Sequence, residues 1–199
     1  MRRRILKRVA GDERGATLLE FALVAPIMLL LILGLGELTY EIYVKAVLTG
    51  SMQKAGRDSA IETANTTTID DRVLAQVRSV APSAQMIDNS GGKPRRSSYA
   101  TFGYIQPEPY TDTNRNNVRD SGECFTDYNG NGVWDADPGI SGQGGASDYV
   151  VYTVTISYRR LFPLVFMGMS NLATTTASTI IKNQPYSNQV VPTPATVCT

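Results

Sequence analysis

The feature that most limits what this chain can become is an apolar run, FALVAPIMLLLILGLG, from Phe21 to Gly36, which is 16 residues without a charge. As a helix it spans about 24 Å, somewhat short of the ~30 Å hydrocarbon core of a bilayer. Extension back through Ala16–Leu19 completes the span and draws Glu20 into the bilayer edge. Residues 1–14 carry six basic side chains (Arg2, Arg3, Arg4, Lys7, Arg8, Arg14) against two acidic ones. By the positive-inside rule that cluster keeps the N-terminus in the cytoplasm and sends residue 37 onward across the membrane. The chain is therefore expected to use residues 16–36 as a single membrane span.

Three kinds of segment share this outline. A cleaved secretory signal would use the small residues Gly34 and Gly36, and an uncleaved anchor needs only the span itself. Neither gains from a carboxylate at Glu20, and an ionisable residue in a membrane segment implies a function for it. The stretch Arg14-Gly15-Ala16-Thr17-Leu18-Leu19-Glu20-Phe21 resembles the third kind, a type IV prepilin processing site. Such a site has a short basic leader ending in Gly, four mostly apolar residues, a Glu, and then an apolar helix. The resemblance implies cleavage by a prepilin peptidase between Gly15 and Ala16, with residues 1–15 as a cytoplasmic leader. Glu20 would then be paired with the free α-amino group of a neighbouring subunit, next to Phe21. A Glu that merely snorkels to the interface is the plainer alternative.

The likeness extends further. Gly15–Glu37, with Pro26 early in the helix and Glu37 closing it, is similar to the N-terminal signature of TadE-like proteins, pseudopilins of the tight-adherence (Tad, or Flp) pilus system. Lys54-Ala55-Gly56-Arg57-Asp58-Ser59-Ala60 resembles the end of the first helix in that family. The resemblance implies a minor pilin or pseudopilin that assembles, primes or caps a Tad-type pilus for surface adhesion. Its partners would be other pilin subunits, the prepilin peptidase and the inner-membrane assembly machinery. It would sit in the bacterial inner membrane, with a periplasmic C-terminal domain that could enter an extracellular pilus. The alternative is a stand-alone, membrane-anchored calcium-binding or adhesion module.

Composition removes other classes. The overall charge is +1, but without the first 14 residues 13 basic and 16 acidic side chains remain. That mildly acidic body gives no basic face for nucleic acid. The chain has no histidine, so His-based acid–base chemistry, Ser-His-Asp and Cys-His nucleophiles and His-ligated zinc are ruled out. There is no G-x-S-x-G, no phosphate loop and no C-x-x-C, and the expectation is that the protein is not an enzyme. The two cysteines, Cys124 and Cys198, suit one disulfide in an oxidising compartment.

Beyond the span, Tyr40, Val44, Val47, Leu48, Met52 and Ala55 recur at helical spacing, so one helix is expected to continue to about Glu62. The stripe serves either as a core face or as a face for a neighbouring subunit. Asn65-Thr66-Thr67-Thr68 can cap a second helix over Ile69–Val80, stopped by Pro82. Ser90–Pro94 reads as a turn, and Tyr99–Ile105, Tyr149–Tyr158 and Ala173–Ile181 as strands. Leu161–Met169, with Pro163 and Gly168, reads as a loop or short helix near the membrane surface, and 183–199 as an extended tail, poorly ordered unless Cys198 ties it down. The expected fold is α+β: a long N-terminal helix on a small antiparallel sheet, with residues 37–182 as the exported domain.

Between the strands, about 106–147, lies a Gly/Asp/Asn-rich insertion with an internal repeat offset by 15 residues. Asp112, Asn114, Asn116, Val118 and Asp120 align with Asp127, Asn129, Asn131, Val133 and Asp135, identically at all five positions. Oxygens at positions 1, 3, 5 and 9 and a carbonyl at 7 can converge on calcium, with a sharp turn at 6. Asn117 and Gly132 occupy position 6, and both residue types tolerate a left-handed backbone. Glu123 stands at position 12 of the first copy, where a bidentate carboxylate belongs; the second has Pro138 there, with Asp137 adjacent. A structural calcium ion is the expectation, magnesium being less suited. Two Asx-turns held by their own hydrogen bonds are the alternative. Trp134 is expected to be a packing anchor.

Overall fold

A computed structural model describes residues 14–60, 65–87, 92–163, 165, 168–185 and 193–198. The leader before Arg14 lies outside these residues, as do Ser90 and Gly91 of the turn at Ser90–Pro94. Helix α1 runs Arg14–Ser59, 46 residues with Pro26 inside it. Helix α2 is Thr66–Arg78, and it begins where the sequence places a cap: the Asn65 side chain accepts the Thr68 N–H at 3.1 Å. The strands are β1 Gln85–Met86, β2 Arg95–Tyr99, β3 Cys124–Asp127, β4 Ile140–Ser141, β5 Tyr149–Arg159, β6 Leu172–Lys182 and β7 Ala195–Cys198. The fold is α+β, as expected.

The chain divides into two compact units. The first holds α1 through Tyr43 together with Arg160–Asn171, and the second holds Val44–Arg159 and the chain from Leu172. Within the second unit β5 is the spine of a five-stranded antiparallel sheet. On one side it pairs along its full length with β6, from Tyr149↔Lys182 to Arg159↔Leu172. On the other it pairs with β2 at one end and β1 at the other, and β4 extends β2. Val150, Tyr152, Val154, Ile156 and Tyr158 of β5 are buried in strict alternation. Val44, Leu48, Met52 and Ala55 of α1 and Ile69, Val73 and Val77 of α2 are the buried hydrophobic side chains of the two helices. Thus the apolar stripe of α1 from Val44 onward is a core face.

Close approach of α1 to the sheet explains one glycine: a Cβ at Gly56 would stand 3.3 Å from the Ile181 side chain. Asp70 of α2 accepts the Tyr152 hydroxyl at 2.6 Å and pairs with Arg96 of β2, whose guanidinium lies 4.2 Å from the Tyr152 ring centre. This polar bracket fixes α2 to the sheet at a partly buried site.

Two expectations are corrected. The strand placed at Tyr99–Ile105 is Arg95–Tyr99 instead, and Phe102–Tyr104 is a 3₁₀ turn. Arg-Arg-Ser-Ser-Tyr has little strand propensity, but ladder bonds to β5, the Arg96–Asp70 pair and the burial of Ser97 and Ser98 override it. The insertion is not irregular throughout, since it contributes β3 and β4. The end of the tail is tied down by Cys198, as the expected disulfide allows: β7 pairs with β3 in register Cys124↔Cys198, and a disulfide of 2.05 Å joins the two. Residues 186–192 lie outside the described set.

A candidate cation site built from two interlocked loops

Both repeat copies fold to the same backbone. In the first, residues at positions 4 and 6, Arg115 and Asn117, take φ of 63° and 60°; in the second, Gly130 and Gly132 take 78° and 76°. The first copy adopts these left-handed conformations without glycine, at a cost of about 1 kcal/mol each. The return comes from position 1. Asp112 accepts the N–H groups of Arg115, Asn116 and Asn117, and Asp127 those of Gly130 and Gly132. Asn116 and Asn131 each accept the N–H two residues on, from Val118 and Val133.

Side chains at positions 3, 5 and 9 converge in each loop. Asn114 and Asn116 both donate to one Asp120 oxygen at 2.7 Å, and Asn129 and Asn131 to one Asp135 oxygen at 2.8 and 2.7 Å. Which end of each amide faces the aspartate is an assignment made by its hydrogen bonds. No group of three or more carboxylates close enough to hold a metal exists among the described residues. Each loop instead brings together the aspartate at position 9 and the amides at positions 3 and 5. Oxygen donors of this mixed kind suit a hard cation such as calcium.

The glutamates show how the two copies are joined. Glu123 accepts the N–H groups of Thr113 and Asp120, positions 2 and 9 of the first loop, at 2.7 and 3.1 Å. Glu108 accepts those of Tyr128 and Asp135, positions 2 and 9 of the second, at 2.8 and 2.9 Å. Both glutamates are buried, 6% and 1% exposed. Glu123 lies four residues before Asp127, and Glu108 four before Asp112. Each loop is thus closed by the glutamate that leads into the other. The lead-in segments pair across a local two-fold: Tyr110 bridges Phe125, Thr111 N–H reaches Cys124 C=O, and Thr126 N–H reaches Pro109 C=O.

Glu108 escaped the sequence reading, although its signal is plain once the repeat is extended backwards. Glu108-Pro-Tyr-Thr-Asp112 matches Glu123-Cys-Phe-Thr-Asp127 at the same offset. Asp137, considered for the second loop, is placed elsewhere: one oxygen accepts the Tyr99 hydroxyl and the other pairs with Arg95 at 2.7 Å. Burial and then Asp137 push the Tyr99 phenol up to about 12. Trp134 is the packing anchor expected of it, donating to Glu108 C=O at 2.8 Å and meeting Tyr110 edge to face. Tyr104 and Tyr128 stack with ring centroids 4.1 Å apart.

At the other end of the chain, α1 displays Leu18, Leu19, Phe21, Leu23, Ile27, Leu31 and Ile32 to the outside, and Glu20 is exposed among them. Gly15 and Ala16 lie in the first turns of α1. Among the described residues, this is the one helix long and apolar enough to cross a membrane. Such a helix fits a single-pass membrane anchor, and it runs on into the α+β domain. Residues 15–57 match the family model described as TadE-like protein. That match runs along α1 and stops before the sheet and the paired loops. No curated protein and no solved structure matches the chain.

Proposed function

We propose that this chain is a minor pilin or pseudopilin acting in assembly, priming or capping of a Tad-type pilus, and that it is not an enzyme. The observation that carries the reading is the family match over 15–57, which includes Gly15, Glu20 and the exposed apolar face of α1. Prepilin peptidase would cut between Gly15 and Ala16 on the cytoplasmic side and leave the rest of the chain facing the periplasm. In a filament, apolar helices of neighbouring subunits would cover the exposed face, and the new α-amino group would pair with Glu20, offsetting the cost of a carboxylate in an apolar setting. Mass spectrometry of the mature chain tests this: the expected N-terminus is Ala16, and Gly15→Ala should leave the leader attached. A mature chain starting at Met1 or at Glu37 sinks the reading.

We further infer that the paired loops hold calcium as a structural ion. Asp112, Asn114, Asn116, Asp120 and the Val118 carbonyl would form one site with Glu123. Asp127, Asn129, Asn131, Asp135 and the Val133 carbonyl would form the other, with Glu108 in place of the carboxylate its own loop lacks. The support is the shared loop geometry and the convergence of amide and carboxylate side chains in each loop. When bound, the ion would neutralise carboxylates that otherwise rely on N–H donors alone. A ligand held only by the folded state must raise stability, by about 2.7 kcal/mol at a hundred times its Kd. The full chain in detergent should therefore melt higher in millimolar calcium than in chelator. An unchanged midpoint returns the repeat to a pair of Asx-turns.

A further inference from the structure

The linker between β5 and β6 is the most apolar stretch outside the span. Leu161–Asn171, LFPLVFMGMSN, contains no charged residue. Leu161 and Val165 are 54% and 57% exposed, and Phe162 and Met169 about 40% each. A water-facing loop of this composition would be unfavourable, since each large apolar side chain left in water forgoes about 1.5–3 kcal/mol of burial.

Its attachment shows what lies beside it. Phe162 N–H donates to Glu37 at 2.9 Å, and its ring would stand 3.5 Å from a Cβ at Gly36. Arg160 pairs with Glu37 at 3.4 Å and also with Glu41. The neck is closed by Arg160 N–H to Asn171 C=O at 3.0 Å. Glu37 is 3% exposed, a buried carboxylate that has both a guanidinium and a backbone donor. The loop is thereby clamped at the turn of α1 where the uncharged run Phe21–Gly36 ends. Leu35 and Leu38 of the same turns are exposed as well.

We infer that Leu161, Phe162, Val165 and Met169 of this linker form a second membrane contact, resting in the headgroup–acyl boundary of the leaflet from which α1 emerges. The occupant is lipid because the exposed side chains continue the apolar band of the span itself, at the level where that band meets water. Side chains with this placement are those of interfacial anchors, in which apolar groups enter the boundary and an arginine reaches toward the headgroups. The contact would make α1 and the loop two points of attachment, fixing rotation of the helix about its axis. This rests on the membrane-anchor reading of α1, and the test separates the two.

With Cys124 and Cys198 joined, an added cysteine is the sole free thiol among the described residues. The full chain, with its disulfide verified by mass, is reconstituted in phosphatidylcholine–phosphatidylglycerol vesicles after labelling at Val165→Cys or Met169→Cys with a polarity-sensitive fluorophore. Ile32→Cys reports the span and Thr67→Cys a water-facing position on α2. The expected result is quenching of the two loop labels by shallow nitroxide lipid several times stronger than at Thr67→Cys, with protection from aqueous iodide. Loop labels that behave like Thr67→Cys while Ile32→Cys is quenched by deep nitroxide lipid overturn the inference and leave the anchor standing. Labels shielded from both quenchers also overturn it, since protein then covers the loop. Failure of quenching at Ile32→Cys overturns the anchor reading itself.

Discussion

At the scale of single residues, Glu108 and Glu123 decide whether the repeat is one device or two. Each carboxylate satisfies two N–H groups of the loop it does not directly lead into. Removing a buried acceptor leaves those donors unpaired at about 1–3 kcal/mol, so Glu108→Ala and Glu123→Ala should each lower the urea midpoint in chelator. Glu108→Gln keeps the size and one acceptor oxygen while removing the charge. It should lose one of two calcium equivalents in a titration, and Glu123→Gln the other; unchanged stoichiometry in both would remove the glutamates from the site. Tyr99 provides a separate test in alkali. Its folded phenol is raised from 10.0 to about 12 by burial and by Asp137, and Tyr152 is raised by burial and Asp70. The folded state therefore keeps these protons longer than the unfolded chain. The stability they add is complete below pH 10 and is lost as pH rises from there through the folded value. Denaturation midpoints should fall between pH 10 and 12, and less steeply in Tyr99→Phe.

At the scale of elements, α1 has two environments along one helix. Before Tyr43 its large apolar side chains face outward, and from Val44 they are enclosed by its own domain. Leu48, fully buried, should cost about 3 kcal/mol on truncation to Ala, read as a lower midpoint in detergent. Leu31→Ala, on the exposed stretch, should leave that midpoint unchanged. The periodicity of α1 was legible because three- and four-residue spacing is a local property of a helix. So were β5 and β6, which are rich in β-branched residues. β2 was not legible: Arg95-Arg-Ser-Ser-Tyr99 owes its extended form to β5 beside it and to Asp70 above Arg96. A strand held by its neighbours carries no pattern of its own.

At the scale of the whole molecule, the tail and the insertion are joined by the disulfide and by β3–β7 pairing across 74 residues of sequence. Closing a loop of that length contributes about 4 kcal/mol in the chain-entropy picture. Cys198→Ser should lower the midpoint by that order and expose the last strand to limited proteolysis, and reductant should have the same effect on the unaltered chain. The position of Cys124, directly after Glu123, places this cross-link next to the loop pair. Sequence alone determined the features that depend on neighbours in the chain: the uncharged span, the spacing of the buried stripe, the Asn65 cap and the left-handed positions Asn117 and Gly132. It also limited the disulfide to one choice, because two cysteines allow only one intramolecular pair. Tertiary structure alone decided which glutamate closes which loop, where Asp137 goes and what makes β2 a strand. Those outcomes depend on contacts between segments far apart in the chain, whose geometry exists only once β5 and the paired loops have assembled.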